Sequence, residues 1–188
     1  NMITKPFIKW SGSKRSQAEK IVSHFPKEIK TFYEPFLGSG AILGYLKPQK
    51  AVASDINEPL IKIWQLLQKN PKKIVNDYRK NWNNLQKIGH TFFYKVRDRF
   101  NNKKLPLDLL FLTRTCVNGL IRYNKSGEFN NSLHHTRRGI NPDQFEKIIY
   151  QWAEITKEYK FSSQDYWIAT KSAKKGDFIY LDPPYFPL

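Results

Sequence analysis

Apolar positions in the first third of the chain follow two different spacings. Residues 31–34 and 51–54 are short, mostly apolar runs that predict strands, whereas apolar residues three and four positions apart predict helices over 16–25, 41–46 and 59–67. A glycine-containing loop follows the first strand, and an acid follows the second. Because strand, loop, helix, strand and helix in this order are typical of a parallel sheet, we predict an α/β fold.

The middle of the chain has a different pattern. Between residues 72 and 104 apolar positions keep helical spacing, while ten Lys and Arg but only two acids occur there, which predicts helices with a basic outer face. Residues 118–138 are polar and rich in turn pairs such as Asn-Gly and Ser-Gly, so they predict a hairpin or a long loop. The remaining predicted elements are helices over 105–117 and 142–157 and strands over 161–166 and 178–181.

Charge narrows the class of partner. The 188 residues include 32 Lys and Arg against 16 Asp and Glu, a net charge of +16, which favours a polyanionic partner, most simply nucleic acid, over a membrane surface. The chain has no apolar run of membrane-spanning length and no apolar signal at its start, so we expect a soluble cytoplasmic protein. Cys116 is the only cysteine, which excludes a disulfide framework and a cysteine-based zinc site, and no cluster of acids and histidines suggests another metal.

An acid, two prolines and an aromatic residue follow the last predicted strand. Asp182 would lie at the carboxyl end of that strand, where α/β sheets bind ligands. Pro183 and Pro184 remove two N–H donors, so the loop presents carbonyl acceptors and one carboxylate beside the Tyr185 ring. These groups suit a planar amine that stacks on the ring. The alternative interpretation is a proline-rich turn that only ends the strand.

The loop from Glu34 to Gly40 joins a predicted strand to a predicted helix. Its glycines allow a ligand to approach the backbone closely. A dinucleotide fingerprint would need a third glycine at position 43, where the chain has Leu43, so a dinucleotide is disfavoured. Asp55 ends the next strand, at the position that normally accepts hydrogen bonds from ribose hydroxyls. Together these features predict a nucleoside cofactor without a pyrophosphate.

Six segments in this order resemble the Dam-like, D12-type (alpha-class) adenine-specific DNA methyltransferases. The resemblance lies in residues 7–14 (FIKWSGSK), 34–40 (EPFLGSG), 54–57 (SDIN), 118–124 (NGLIRYN), 127–130 (GEFN) and 182–185 (DPPY). It implies a Rossmann-like sheet that binds S-adenosyl-L-methionine, with an inserted helical and hairpin subdomain that recognises double-stranded DNA. It also implies methyl transfer to the N6 amino group of adenine, without a metal.

The resemblance assigns roles to individual residues. The implied cofactor positions are Trp10, Lys14, Phe36, Gly38, Gly40, Asp55, Phe161, Asp165 and Asp182. Asp182 and the Pro183 carbonyl would accept the two hydrogens of the adenine amino group, and Tyr185 would stack on the base. Because that pocket cannot reach into a duplex, base flipping is implied. A cytosine-C5 enzyme would instead need a reactive thiolate, and Cys116 is interpreted as a small buried apolar residue.

The basic middle is expected to read the DNA. Leu120 and Arg122 match positions that the family directs at base edges, and Asn124, Arg137 and Arg138 complete the expected DNA-binding set, with Arg114 nearby. The alternative is that these arginines contact only phosphates, which carry no sequence information. Residues 131–138 differ from the Dam pattern, so the resemblance does not extend to a GATC target.

These assignments predict a division of the chain. Residues 1–70 and 156–188 would form the cofactor-binding catalytic domain, and residues 71–155 the target-recognition subdomain. Family members continue past the Asp-Pro-Pro-Tyr loop, so we expect a sheet that is incomplete at its carboxyl end. Either the sequence is truncated or a second chain completes the fold. The alternatives to an active DNA methyltransferase are a chain that binds cofactor and DNA without activity of its own, and an RNA or protein methyltransferase.

Overall fold

A parallel β-sheet lies at the centre of the computed structural model, which describes residues 4–116, 123–130, 132–133 and 139–184. In these ranges the strands are β1 (Phe32–Glu34), β2 (Ala51–Ser54), β3 (Lys160–Ser162) and β4 (Phe178–Ile179). Their order is β3-β2-β1-β4, and each neighbouring pair is parallel. The sheet confirms the predicted α/β fold. The order also places the ends of β1, β2 and β4 side by side.

Helices connect and cover the strands. After a 3-10 turn (Arg15–Gln17) they are α1 (Ala18–Val22), α2 (Ala41–Leu46), α3 (Glu58–Lys69), α4 (Pro71–Ile88), α5 (His90–Lys103), α6 (Pro106–Thr115), α7 (Pro142–Ile155) and α8 (Tyr166–Ala169). Side-chain caps begin several of them: Asn57, Asn70 and Asn141 accept backbone N–H bonds, with a proline in the first turn that follows. The caps therefore explain where these three amphipathic helices start.

A cluster of aromatic rings joins the sheet to the helices. Trp64 of α3 contacts Phe7, Trp152 and Phe161, with ring centroids 4.8, 5.3 and 5.2 Å apart. Phe7, Trp64 and Trp152 are fully buried, and the Trp152 indole N–H donates to the Lys5 carbonyl at 2.7 Å. Since buried aromatic groups contribute a large apolar area, this cluster anchors α3 and α7 against the sheet.

Helices α4 to α7 coincide with the predicted inserted subdomain but share the core of the sheet. In α4 the Tyr78 ring lies 4.0 Å from the Phe145 ring of α7, and its hydroxyl donates to the Ile140 carbonyl at 2.7 Å. Burial raises the pKa of Tyr78 to about 12, so this hydroxyl stays a donor. The buried apolar residues form one continuous cluster from Phe7 to Phe161. The boundary between two domains therefore stays a prediction.

Two predicted elements differ from the structure. The strand predicted over 161–166 ends at Ser162, because the Asp165 carboxylate accepts the Trp167 N–H at 2.9 Å and begins α8 instead. The helix predicted over 16–25 divides into the 3-10 turn and α1. None of the helices in the described ranges has the length and apolarity of a membrane span.

The predicted hairpin is present in the part of 118–138 that the structure describes. Antiparallel bridges join Tyr123 to Phe129 and Cys116 to Leu133. Between them the Asn124 side-chain oxygen accepts the N–H groups of Ser126 and Glu128, both at 2.9 Å. This Asx turn closes the hairpin at its tip.

Candidate active site

Three loops meet at the carboxyl edge of the sheet. The loop after β1 runs from Pro35 to Gly40, Asp55 follows β2, and Asp182 follows β4. The backbone of Tyr180 still pairs with Tyr33 at 2.9 Å, so β4 holds its register to within two residues of Asp182. In a parallel sheet this edge is where ligands bind. Local strand pairing therefore positions the candidate residues.

Asp55 is held by backbone donors from two loops. Its carboxylate accepts the Gly38 N–H at 3.1 Å through one oxygen and the Asn57 N–H at 3.0 Å through the other. Burial raises the pKa of Asp55, and these two hydrogen bonds oppose that shift. A carboxylate has about four acceptor positions, so two remain for a ligand's hydroxyl groups.

The glycines of the β1 loop are required by the two tryptophans beside them. A Cβ at Gly38 would lie 3.1 Å from the Trp10 ring, and one at Gly40 would lie 2.6 Å from the Trp64 ring. Both glycines have positive φ, +53° and +70°, which disfavours other residues. The Trp64 indole N–H also donates to the Gly38 carbonyl at 3.3 Å. The loop is thus packed between Trp10 and Trp64, with Gly38 directly against Trp10.

Lys14 and Asp182 form an ion pair at this edge. The Lys14 Nζ lies 3.8 Å from an Asp182 carboxylate oxygen, and both side chains remain about one quarter exposed. Pro183 is exposed immediately beyond Asp182. The structure therefore brings together a cation, a carboxylate and a proline loop that the sequence placed 168 positions apart.

Glu34 is a buried carboxyl that sequence reasoning quoted but gave no role. Its side chain is 4% exposed, and its Oε2 has no hydrogen-bond partner. Burial raises the pKa of Glu34 well above its usual value, and the negative charge of Asp182 raises it further, while a backbone hydrogen bond to Leu43 opposes the shift. Glu34 therefore carries its proton more readily than an exposed glutamate would.

Aromatic side chains border the site near α8. The ring centroids of Phe36 and Tyr166 lie 5.7 Å apart, and the Tyr166 side chain is exposed. Phe161 stacks on Trp64 and is largely buried, so it supports this region from the core. The Asp165 carboxylate caps α8. Sequence reasoning missed Tyr166 because it assigned that residue to a strand; an aromatic residue directly after a capping acid was the available signal.

The expected DNA-binding residues are mostly beyond the described ranges. Leu120, Arg122, Arg137, Arg138 and the ring of Tyr185 lie outside the described residues. Asn124 is described, and its side chain shapes the hairpin turn and donates to Glu128 at 3.0 Å.

Arg114, which the sequence places near the expected DNA-binding residues, is buried inside the protein. This side chain is 7% exposed and donates to the Pro6 carbonyl at 3.0 Å, and burial lowers its pKa. It lies inside the protein because α6 packs in the core and all eight residues from Asp108 to Thr115 are buried.

The arrangement can position a nucleoside-like ligand that carries a carboxylate, together with a hydrogen-bond donor. Asp55 offers free acceptor positions, Lys14 offers a cation for a carboxylate, and Asp182 offers acceptors in front of an exposed loop. Within the described ranges no group of three or more His, Cys, Asp or Glu side chains could hold a metal ion.

Sequence comparisons with known proteins cover almost the whole chain. A family model described as D12 class N6 adenine-specific DNA methyltransferase matches residues 10–188. A protein named type II methyltransferase M.MjaIII, from Methanocaldococcus jannaschii, is 34% identical over 100% of this chain and 71% of its own length. The type II methyltransferase M1.LlaDCHI of Lactococcus lactis subsp. cremoris is 31% identical over 98% of this chain and 66% of its own length.

A third relative, a DNA adenine methylase from Serratia marcescens, is 31% identical over 98% of this chain and 68% of its own length. The chain thus spans about two thirds of the length of these relatives, and each match includes the candidate site.

Proposed function

Because the chain belongs to the D12 class of N6 adenine-specific DNA methyltransferases, we propose that it transfers a methyl group from S-adenosyl-L-methionine to the N6 amino group of a flipped-out adenine in duplex DNA. The observation that carries this proposal is that Asp55 and the Lys14–Asp182 ion pair lie at the same edge of the sheet. The family is one of enzymes, and the comparisons do not favour the alternative of a chain that only binds.

The residues at this edge fit the proposed methyl donor. The two free acceptor positions of Asp55 suit the ribose diol, and the Lys14 ammonium suits the donor's carboxylate. Phe36 and Tyr166 offer ring faces for its adenine. When bound, S-adenosylmethionine supplies an electrophilic methyl group on a sulfonium centre.

Asp182 and the Pro183 carbonyl act on the acceptor amine. The lone pair of adenine N6 is delocalised into the ring, which makes the amine a poor nucleophile. Hydrogen bonds from its two hydrogens to the Asp182 carboxylate and the Pro183 carbonyl favour a more tetrahedral nitrogen and stabilise the developing positive charge. The Lys14 ion pair holds the Asp182 carboxylate near its present position. Tyr185 is proposed to stack on the flipped base.

The DNA contacts are proposed from charge and family resemblance. Leu120, Arg122, Asn124, Arg137 and Arg138 would contact bases or phosphates, with residues 71–155 as the recognition subdomain. Two relatives are named type II methyltransferases, so a place in a restriction–modification system of a bacterial, archaeal or phage-infected cell is proposed, in the cytoplasm. A second chain that completes the fold stays a prediction.

The test is methyl transfer with a matched pair of variants. The protein is incubated with unmethylated duplex DNA and S-adenosylmethionine labelled in the methyl group, and N6-methyladenine is then measured in the DNA. Asp182→Asn should lower kcat by about 10²–10³-fold or more, because it removes the carboxylate acceptor. Asp98→Asn changes an exposed aspartate in α5 and should leave the rate unchanged. Label in cytosine, or equal rates for both variants, would refute the proposal.

A further inference from the structure

Three cations in or directly after α5 contact groups of the protein itself. In α5 the Arg99 guanidinium makes two hydrogen bonds to the buried Asp108 carboxylate, at 2.8 and 2.6 Å. Arg97 lies over the Tyr94 ring at 4.6 Å, and Lys104, just after α5, lies over the Phe100 ring at 5.0 Å. These cations therefore already have intramolecular partners.

The lysines of α4 have no such partners on their exposed face in the part of the chain that the structure describes. We define the α4 stripe as the exposed side chains Lys72, Lys73, Asn76, Lys80, Asn83 and Lys87. At 100° per residue they lie on the side opposite the buried residues Ile74, Tyr78 and Leu85. In the described ranges no acid lies within 4.0 Å of a stripe lysine nitrogen. The stripe thus presents four cations and two amides to solvent.

Acids stand only at the margins of the stripe among the described residues. Asp77 is half-buried and accepts a hydrogen bond from Asn81 at 3.1 Å; burial and Asp108 raise its pKa, and Arg99, Lys80 and Lys73 oppose this. On the other margin Arg79 pairs with Asp143 at 2.7 Å and with Glu146 at 3.7 Å. Asp77 and the Arg79 ion pairs therefore bound the stripe on its two sides, and none of its four lysine nitrogens lies within 4.0 Å of these acids.

The shape of the stripe fits an extended phosphate chain. Two shallow grooves of about 390 and 480 Å³ follow the first part of α4. They are lined by the stripe residues Lys72, Lys73, Asn76, Lys80 and Asn83 together with Asn70, Asp77, Arg79 and Asn84. From Lys72 to Lys87 the helix rises about 22 Å, and one strand of a DNA duplex carries about six phosphates over that length of the duplex axis. Lysine and asparagine side chains are typical phosphate ligands that carry no sequence information.

The recognition segment ends against the helix that carries the stripe, on the face of α4 opposite the stripe. The backbone that follows Arg137 and Arg138 returns to α4, where Gly139 lies against Tyr78 and Trp82 and the Ile140 carbonyl accepts the Tyr78 hydroxyl. The helix that carries the stripe is therefore the one to which the end of the hairpin segment is attached.

We propose that the α4 stripe binds the phosphate backbone of duplex DNA flanking the target site, and so adds affinity without sequence specificity. This inference rests on the proposed function for the identity of the polyanion. DNA bound in this way would displace counterions from the stripe, so each lysine contact adds about 0.9 to the slope of log affinity against log salt concentration.

The experiment compares two triple variants that remove equal charge. Lys73→Gln, Lys80→Gln and Lys87→Gln remove a row of lysines seven residues apart on α4. Lys27→Gln, Lys174→Gln and Lys175→Gln remove exposed lysines near the amino ends of β1 and β4. Affinity for a duplex of about 40 base pairs is measured from about 50 to 300 mM salt, without methyl donor. The slope of log affinity against log salt concentration should become shallower by about 2–3 in the stripe variant and by less than about 0.5 in the control variant.

Further measurements separate the stripe from folding and from catalysis. The variant with Lys73→Arg, Lys80→Arg and Lys87→Arg keeps the charge and should show the wild-type dependence of affinity on salt concentration. The Gln variant should retain the wild-type kcat for methyl transfer at saturating DNA, with KM for DNA raised about 10-fold or more. Equal slopes for the two Gln variants would overturn the inference, as would single-stranded RNA competing as well as duplex DNA. A wild-type protein without methyl transfer would refute the proposed function, whereas a stripe-dependent slope would still support the stripe.

Discussion

At the scale of single residues, the site contains two carboxylates in opposite situations. Asp55 accepts two backbone N–H bonds, whereas Glu34 lies 4% exposed with one oxygen unpartnered and faces the charge of Asp182. A carboxylate with a backbone donor on each oxygen can stay ionised in a partly buried place, but a fully buried one with an unpartnered oxygen favours its protonated form. The same side-chain group therefore joins two loops by hydrogen bonds in one case and is a cost to folding at neutral pH in the other.

Replacing Glu34 by Gln should change how stability depends on pH. The pKa of Glu34 is higher in the folded protein than in the unfolded chain, where it is near 4.5. Between these two pKa values the folded protein keeps the Glu34 proton and the unfolded chain releases it, so the free energy of unfolding falls as pH rises. The amide of the Glu34→Gln variant has no such proton to lose. The difference in melting temperature between variant and wild type should therefore increase in favour of the variant from about pH 4 to pH 8. Each 1 kcal/mol of difference in the free energy of unfolding corresponds to about 2–4 °C. An offset that is constant across this range would contradict the prediction.

Replacing Asp55 by Asn should weaken binding of the methyl donor. The amide keeps only one acceptor oxygen, so it cannot serve Gly38, Asn57 and two ribose hydroxyls together. We expect the dissociation constant for S-adenosylmethionine to rise about 10-fold or more, measured by calorimetry in the absence of DNA. Asp98→Asn is the control for the lost charge. Unchanged affinity would show that Asp55 only holds the loop.

At the scale of elements, close approach of α2 and α7 depends on a glycine. Gly44 lies within α2, and a Cβ there would overlap the ring of Trp152 in α7. The Trp152 indole is held by its hydrogen bond to Lys5 and by contact with Trp64, so it has little room to move. The space between α2 and α7 therefore has no room for a side chain at position 44, although alanine would favour the helix.

Gly44→Ala should destabilise the protein although alanine is the better helix former. The gain in helix propensity is about 1 kcal/mol, and overpacking a closed core costs about 1–3 kcal/mol or more. Urea unfolding should show a net loss of stability. In a double-mutant cycle with Trp152→Phe, the smaller ring should relieve part of that loss. Simple additivity of the two changes would contradict the proposed contact.

At the scale of the whole molecule, the net charge of +16 acts against compactness. Like charges distributed over one small protein repel each other, and salt weakens that repulsion by shortening the Debye length from about 30 Å at 0.01 M to about 10 Å at 0.1 M. The α4 stripe adds to this effect, because its four lysines lie on one face.

We therefore expect the melting temperature to rise by a few degrees when NaCl is increased from about 0.01 to 0.1 M. Sodium sulfate at equal ionic strength separates screening from anion binding, since screening alone predicts the same rise. A melting temperature that stays constant or falls over this range would contradict the prediction.

Local signals predicted much of the fold and the site. Proline and asparagine mark the starts of α3, α4 and α7, and the spacing of strand, glycine loop and acid placed Gly38 and Asp55 together. The prediction that Tyr166 belongs to a strand was wrong. The Asp165 side chain accepts the Trp167 N–H, and this single hydrogen bond favours a helix over a strand at that point. The burial of Arg114 could not be predicted locally, because it involves a hydrogen bond to Pro6, which is 108 positions away.

The sequence by itself determined the family, the parallel α/β pattern and the residue types at the site, because these depend on motifs and short-range spacing. Only the tertiary structure decided which charges are available. It paired Arg99 with Asp108, buried Arg114, left Glu34 Oε2 without a partner and exposed the lysines of α4. Solvation and Coulomb energy depend on neighbours from distant parts of the chain, and composition counts all of these charges alike.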